Sequence, residues 1–345
     1  MSIPTPRWWY DRAPRRRGGA MRLFLAPVSM IWTWAGARRI ARATPVDPAV
    51  PVICVGNLTL GGSGKTPVAR EIVRLLTIRG VAPHVLTRGH GGNLAGPVRV
   101  DPARHTAAEV GDEALMLAAD VPVWVARDRA AGARAAVSAG AEAIVMDDGH
   151  QNGGVRKALS LVVVDGETRD GEWPFGDGRV FPAGPLRELV AAGLARADAV
   201  IVLLPADLAA ADPELLALFG TLPVLIARLA PTAPPPKGPQ LAFAGVGKPW
   251  KVERALKAAG CDLADFAALA DHAPLTEALL TRLAARAAAL RAGLLTTEKD
   301  WVRLSTEWRA RVTAWPVRAV FEDEAGAMAV IERAMGGRGT GAWRR

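Results

Sequence analysis

"VICVGNLTLGGSGKTPVAREIV", residues 52–73, places three elements in an order that decides the fold. The apolar, β-branched run over 51–55 reads as a buried parallel strand. Gly61, Gly62 and Gly64 follow, and from Lys65 the pattern turns helical, with Val68, Ile72, Leu75 and Leu76 on one face. Strand, glycine turn and helix start make an anion site. Glycines let backbone N–H groups converge on phosphate oxygens, and the helix adds its positive dipole end. Lys65 is then placed to reach β- and γ-phosphates, and the Thr66 hydroxyl to ligate Mg²⁺. Pro67 fits because first-turn N–H groups have no intrahelical partner. One position departs from G-x-x-x-x-G-K-[ST]: Thr59 stands where the first glycine belongs. A glycine-rich hairpin before an ordinary helix is the competing reading, and the strand-to-helix context weighs against it. The expected nucleotide-binding residues are Thr59, Leu60, Gly61, Gly62, Ser63, Gly64, Lys65 and Thr66.

A phosphate loop needs a second partner for its metal. In "AEAIVMDDG" an apolar strand over 143–146 runs into Asp147 and Asp148. A carboxylate at the end of a neighbouring strand is where P-loop NTPases hold Mg²⁺. Thr66, Asp147 and Asp148 are therefore the expected metal ligands. His84, His90 and His105 have no ligand-like spacing with another His or Cys, so no zinc is expected.

Half of the 345 residues are apolar, enough for two domains. Two cysteines, Cys54 and Cys261, support neither a disulfide framework nor a Cys-rich metal site, the usage of a reducing compartment. The net charge of +9 is concentrated: residues 1–42 carry nine arginines against Asp11 alone. A nucleic-acid enzyme more often spreads its basic residues along a groove, so no nucleic-acid partner is expected.

The basic patch brackets "LFLAPVSMIWTWAGA", residues 23–37, which has no charge. A spanning helix needs about 20 apolar residues, so this stretch is short for the purpose, and Pro27 weakens it further. Arginines on both sides and Trp8, Trp9, Tyr10, Trp32 and Trp34 suit the headgroup region of a membrane. Two rivals remain: a signal peptide ending at Ala35-Gly36-Ala37, and an apolar helix packed on the protein's own core.

Apolar strands over 51–55, 84–87, 122–126, 143–147, 159–165 and 198–204 alternate with helical stretches such as 128–138 and 186–197. This predicts a P-loop NTPase-like, doubly wound, mostly parallel sheet. The prolines of "ARLAPTAPPPKGPQ" mark a linker. Beyond it strands at 241–246, 294–297 and 317–321 and helices at 250–259 and 276–291 predict a second, smaller α/β domain. The expected units are a membrane-association segment with its helix (1–45), a P-loop kinase domain (46–228), the linker (229–240), the smaller domain contributing to the substrate cleft (241–335) and a tail (336–345).

Phosphoryl transfer needs a base or orienting group for the acceptor and positive charge on the moving group. "EVGDEALMLA" puts Asp112 and Glu113 at a helix start, where Asp112 could equally be a cap. "LADHAPLT" puts Asp271 and His272 before another helix. An Asp–His pair drawn from two domains can act as a dyad, although spacing does not establish that they meet. "TRGHGG" places Arg88 on a glycine-rich loop. Arg88, Glu113 and Gln151 are candidates for substrate or phosphate contacts.

"VPVICVGNLTLGGSGKTPV", "TRGHGG", "VGDEALMLA", "MDDGHQN", "FPAGPLRE", "LADH" and "TTEKDWVRL", in that order, resemble one family: the tetraacyldisaccharide 4′-kinases, the lipid A 4′-kinases of Gram-negative bacteria. The resemblance runs from about Leu23 to Leu304. It implies ATP as donor and the 4′-hydroxyl of a tetraacylated glucosamine disaccharide 1-phosphate as acceptor, giving lipid IVA at the cytoplasmic face of the inner membrane. It also implies Asp112 and His272 as the catalytic dyad beside Lys65, with Asp147 and Asp148 on the metal. The lipid and the membrane surface are the partners it implies, with no obligate protein partner. This chain departs from the family pattern at His90 (usually Tyr), His150 (usually Phe), Asn152 (usually His) and Ala273 (usually a second His). The rival class is a regulatory P-loop ATPase or GTPase switch. Those loops carry a second lysine where Leu60 stands, and there is no guanine-reading NKxD motif.

Overall fold

The stretch 52–73 folds as its spacing predicts. In the computed structural model, which describes residues 6–12 and 19–336, β1 (Val52–Gly56) is buried throughout and a helix spans Lys65–Ile78. That helix turns Val68, Ile72, Leu75 and Leu76 into the core beneath the sheet. Each such side chain contributes about 2 kcal/mol of burial. Gly64, the N-cap, has a φ of 78°, and a Cβ there would meet the Leu203 side chain at 2.1 Å. Glycine is required on both counts.

The remaining strands are β2 (Pro83–Thr87), β3 (Val98–Arg99), β4 (Val123–Val125), β5 (Ala143–Asp147), β6 (Leu159–Asp165), β7 (Ala199–Pro205), β8 (Val224–Pro231), β9 (Gln240–Ala244), β10 (Leu263–Ala268), β11 (Gly293–Thr297), β12 (Val312–Trp315) and β13 (Val317–Phe321). With β1, eight of them form one nine-stranded sheet in the order β13-β8-β7-β6-β1-β5-β2-β4-β3, parallel except for β3 and β13 at the edges. From β1 the chain moves out to β2 and β4, returns to β5 and crosses to β6, β7 and β8. The direction of winding reverses at β1, so the crevice outside the carboxyl ends of β5, β1 and β6 is the natural ligand position. Helices cover both faces, which is why β1, β2 and β5 are buried along their length.

The other four strands form a separate parallel sheet, β10-β9-β11-β12, around Leu241, Phe243, Leu280, Leu283 and Trp308. Two expectations need correction. The linker was placed at 229–240, but β8 continues to Pro231, because the closely spaced prolines start only there. Residues 317–335 were assigned to the smaller unit. Instead β13 pairs antiparallel with β8, and the helix Glu324–Gly336 buries Met328 and Ile331 in the core of the large sheet. An apolar strand does not state which sheet it joins.

The N-terminal apolar stretch lies in a helix, Gly19–Ala41, with Pro27 inside it. Among the described residues no helix is long and apolar enough to cross a membrane. Arg22 is buried against Asp177 at 3.1 Å, Ser29 Oγ accepts from the Ala183 amide, and Trp32 Nε1 donates to the Arg187 carbonyl. The outer face carries Leu23, Phe24, Met30, Ile31 and Trp34, with Phe24 79% exposed. The helix therefore packs on the protein along one side only and leaves these apolar side chains exposed. Arg15–Arg17, the side chains of Arg7 and Trp8, and the tail beyond 336 lie outside the described residues.

Candidate active site

The loop after β1 is fixed at one end and free at the other. Thr59 bridges Leu186, and its carbonyl accepts from Asn57 Nδ2 and Arg187 Nε; the Leu60 amide donates to the Pro185 carbonyl. The backbone groups of these two expected nucleotide residues are thus engaged with the chain itself, and the open part of the loop starts at Gly61. Ser63 Oγ is buried with no hydrogen-bond partner among the described residues.

Beside the loop, β5 pairs with β1 so that Asp147 lies next to Val55. Thr66 Oγ1 donates to Asp147 Oδ2 at 3.1 Å. Asp147 is 1% exposed and its Oδ1 has no partner. Burial, the neighbouring Glu113 and Asp148 push its pKa up, and Lys65 and Thr66 only partly offset them. Asp148 follows in the left-handed region, φ 55°, which re-aims its carboxylate. Lys65 Nζ lies 3.7 Å from Asp148 Oδ1, and Arg187 Nη1 donates to the same oxygen at 2.8 Å. Desolvation works against the Asp148 anion, but Lys65 and Arg187 outweigh it and hold the pKa at about 2.

These residues fit a hard cation. A buried carboxylate oxygen with no donor, facing a threonine hydroxyl already on its twin, is an oxygen donor set in want of positive charge. Among the described residues no three His, Cys, Asp or Glu side chains cluster around a metal position. The donors present suit Mg²⁺, which keeps several waters and takes phosphate oxygens.

A second cluster joins the two sheets. The Asp112 carboxylate, 4% exposed, opens the helix Asp112–Leu117, whose N-cap is Gly111. Its Oδ1 accepts from the Glu113 amide, and its Oδ2 lies 3.0 Å from His272 Nδ1. His272 belongs to the loop after β10 and also has a left-handed φ of 56°. Two residues 160 positions apart in the chain therefore meet, which spacing alone could not establish. Burial favours neutral Asp112, but the hydrogen bond from His272 and the charges of Lys299 and Arg303 prevail and keep its pKa below the usual carboxylate range. The Asp112 contact conversely raises the His272 pKa against burial and Lys299. The smaller sheet's loop also approaches the phosphate loop: a Cβ on Gly247 would stand 2.8 Å from the Gly62 nitrogen.

Between the sheets, a cavity of about 300 Å³ opens beside Gly62–Gly64, lined by Asp165, Leu203, Leu229, Lys251 and Trp315 among others. Arg88 is exposed at the end of β2, and Glu113 lies 3.4 Å from Lys299 Nζ. Gln151 turns its amide away, donating to the Asn57 carbonyl and to Glu188. Arg187 and Lys299 went unassigned in the sequence, although "FPAGPLRE" and "TTEKDWVRL" contain them.

The departures from the family pattern have local explanations. His150 is buried, with Nε2 on the Gly193 carbonyl and Nδ1 on Ser160 Oγ, so it packs under the sheet instead of reaching a ligand. Asn152 Oδ1 accepts from the Gly154 amide and shapes a turn. His90 sets its ring edge-on to His272, centroids 5.3 Å apart. The Ala273 carbonyl accepts from Arg303.

A phosphate loop, a strand-end carboxylate pair and a second lobe that reaches over them define a P-loop kinase. The family model for tetraacyldisaccharide-1-P 4′-kinase matches residues 21–336, and the chain belongs to that family. It is 67% identical over 333 residues to the tetraacyldisaccharide 4′-kinase of Phenylobacterium zucineum, covering 96% of this chain and 99% of that protein. The enzyme of the same name from Caulobacter vibrioides is 63% identical over 332 residues, with the same coverage. In fold, the chain resembles LpxK of Aquifex aeolicus, crystallised in complex with ATP, with a TM-score of 0.70 at 24% identity over 91% of this chain and 99% of that one.

Proposed function

We propose that the protein transfers the γ-phosphoryl of ATP to the 4′-hydroxyl of a tetraacylated disaccharide 1-phosphate, giving lipid IVA. The observation that carries this reading is the meeting of Asp112 and His272, 3.0 Å apart, across the crevice that the phosphate loop opens onto. The open loop from Gly61, with Lys65 and Thr66, holds the phosphates, and the nucleoside takes the adjoining cavity. Lys65 and Arg187 keep positive charge where the moving phosphoryl gathers negative charge. Thr66, Asp147 and Asp148 would hold Mg²⁺, which when bound would offset negative charge on the phosphates. Asp112, held ionised, orients the acceptor hydroxyl and accepts its proton as the new O–P bond forms, while His272 steadies the carboxylate.

The membrane reading belongs here too. The exposed apolar face of Gly19–Ala41 and the arginines around it suit the interface of an anionic bilayer. Lying on the cytoplasmic face of the inner membrane, the helix would bring the cleft to the sugar head while the acyl chains stay in lipid.

Purified protein in detergent, given Mg-ATP and the tetraacyl disaccharide 1-phosphate, should add one phosphate to the lipid by mass spectrometry. The gain should vanish with Lys65→Ala. ATP hydrolysis without lipid, and no transfer, would instead favour a switch ATPase.

A further inference from the structure

Lys299 is a charged residue at the crevice to which the reaction above assigns nothing. It sits in a one-turn helix, Glu298–Trp301, capped by Thr297, directly after β11. Its side chain is 19% exposed, and its ammonium lies 3.4 Å from Glu113 Oε1, 3.6 Å from Asp271 Oδ1 and 3.3 Å from His272 Nε2.

The last contact has a chemical consequence. A lysine ammonium has three donors and no acceptor. At 3.3 Å it donates to Nε2 only if that nitrogen carries no proton. The imidazole proton then belongs on Nδ1, which faces the Asp112 carboxylate at 3.0 Å. We propose that Lys299 is a positioning residue: it holds neutral His272 as the Nδ1–H tautomer and opposes the imidazolium that would otherwise form beside Asp112. The inference rests on the reading of Asp112 as the group that accepts the acceptor's proton. An adjacent imidazolium would make that carboxylate a weaker base, and a neutral imidazole leaves its basicity intact.

The charges that face His272 determine what happens without the lysine. Asp112 and Glu113 approach from the helix Asp112–Leu117, Asp271 from its own loop, Lys299 and Arg303 from the chain after β11, and the His90 ring from the loop after β2. Three of these are carboxylates. Without the Lys299 ammonium they favour imidazolium, and Lys299 already opposes the rise that Asp112 imposes on the His272 pKa. The residue also joins the two sheets, since Glu113 belongs to one and Lys299 to the other.

The test uses full-length protein in detergent with ¹⁵N-labelled histidine, the His272 signals being identified by their loss in His272→Gln. Two-bond ¹⁵N–¹H spectra recorded above the imidazole midpoint should give a protonated Nδ1 and an unprotonated Nε2. In Lys299→Met the imidazole midpoint should rise by about one pH unit or more. The acid limb of kcat for lipid phosphorylation should move with it, KM for ATP staying within about threefold. Lys299→Arg should restore the wild-type tautomer and profile. An Nε2–H tautomer in the wild type, or an unmoved midpoint in Lys299→Met, overturns the proposal. The wild-type spectrum decides even if Lys299→Met does not fold. Because the tautomer is read without substrate, a wild type with the expected spectrum and no lipid phosphorylation would support the tautomer assignment while refuting the kinase reading.

Discussion

The two ends of the crevice, which we propose hold the nucleotide and the acceptor, are built by different means. At the nucleotide end, Lys65, Thr66, Asp147 and Asp148 all follow two adjacent strands of one sheet, and Arg187 ties the loop to Asp148. At the acceptor end, Asp112 comes from the large sheet's side, and His272 and Lys299 from the smaller sheet. The first cluster is held by strand register. The second exists only while the two sheets keep their relation. The nucleotide end should therefore fail through lost charge alone, and the acceptor end also through lost position.

The largest effect is expected at the preassembled end. Lys65→Ala or Asp147→Ala should lower kcat by about 10³-fold, the cost of removing a preorganised charge from the transferring group, with the melting temperature nearly unchanged. Near-normal kcat in either variant would show that this cluster is not where transfer occurs. Asp112→Asn should lower kcat by about 10²-fold with little change in KM. A rise in KM alone would make Asp112 a binding or helix-start residue and remove the contrast between the ends. Gly247→Val should cost less, about tenfold, by pressing the smaller sheet's loop off Gly62 without touching a charged group. If it leaves both kcat and KM unchanged, the acceptor end does not depend on how closely the lobes approach.

The smallest effect on activity, but a clear one on stability, is expected at His150. Burial, with Lys157 adding to it, lowers its pKa from the ordinary 6.5 to about 4, the Gly193 carbonyl pulling the other way. Below pH 6.5 the unfolded chain binds a proton that the folded one refuses. Stability is therefore full above that value and is lost as the pH falls toward 4, by up to about 3 kcal/mol. Denaturant melts of the wild type and His150→Phe at both pH values should differ by most of that amount. Equal acid sensitivity would place the titrating group elsewhere.

Much of this was legible in the sequence, for reasons the structure makes plain. β1, β5, β6 and β7 are buried on both faces, so they are written as unbroken apolar runs. β3, β10 and β12 are short or half-exposed and leave no such run. The phosphate loop was readable because its chemistry is local: turn, lysine and threonine are neighbours in the chain. Asp112 and His272 were readable only as candidates, each at a helix start where a carboxylate or a turn residue is commonplace. Lys299 was harder still, since a lysine in a capped helical turn looks like a solvated surface charge. Its meaning comes from three partners that lie far from it in the chain or across the cleft.

The return of β13 to the large sheet has a mechanical consequence. The chain leaves for the smaller sheet after Pro231 and comes back at Val317, and these two residues are paired neighbours. Thr232 and Pro316, one step further out, are joined by a hydrogen bond, and Trp315 Nε1 reaches the Ala233 carbonyl. The smaller lobe thus hangs from two parallel straps fastened side by side, as a door hangs from its jamb. Such a mounting sets a line about which the lobe would swing once ion pairs across the cleft, such as Arg70–Glu298 and Lys251–Asp165, are released. The two halves of the Asp112–His272 pair should then part and meet along a single arc, so opening and closing can be followed with one distance.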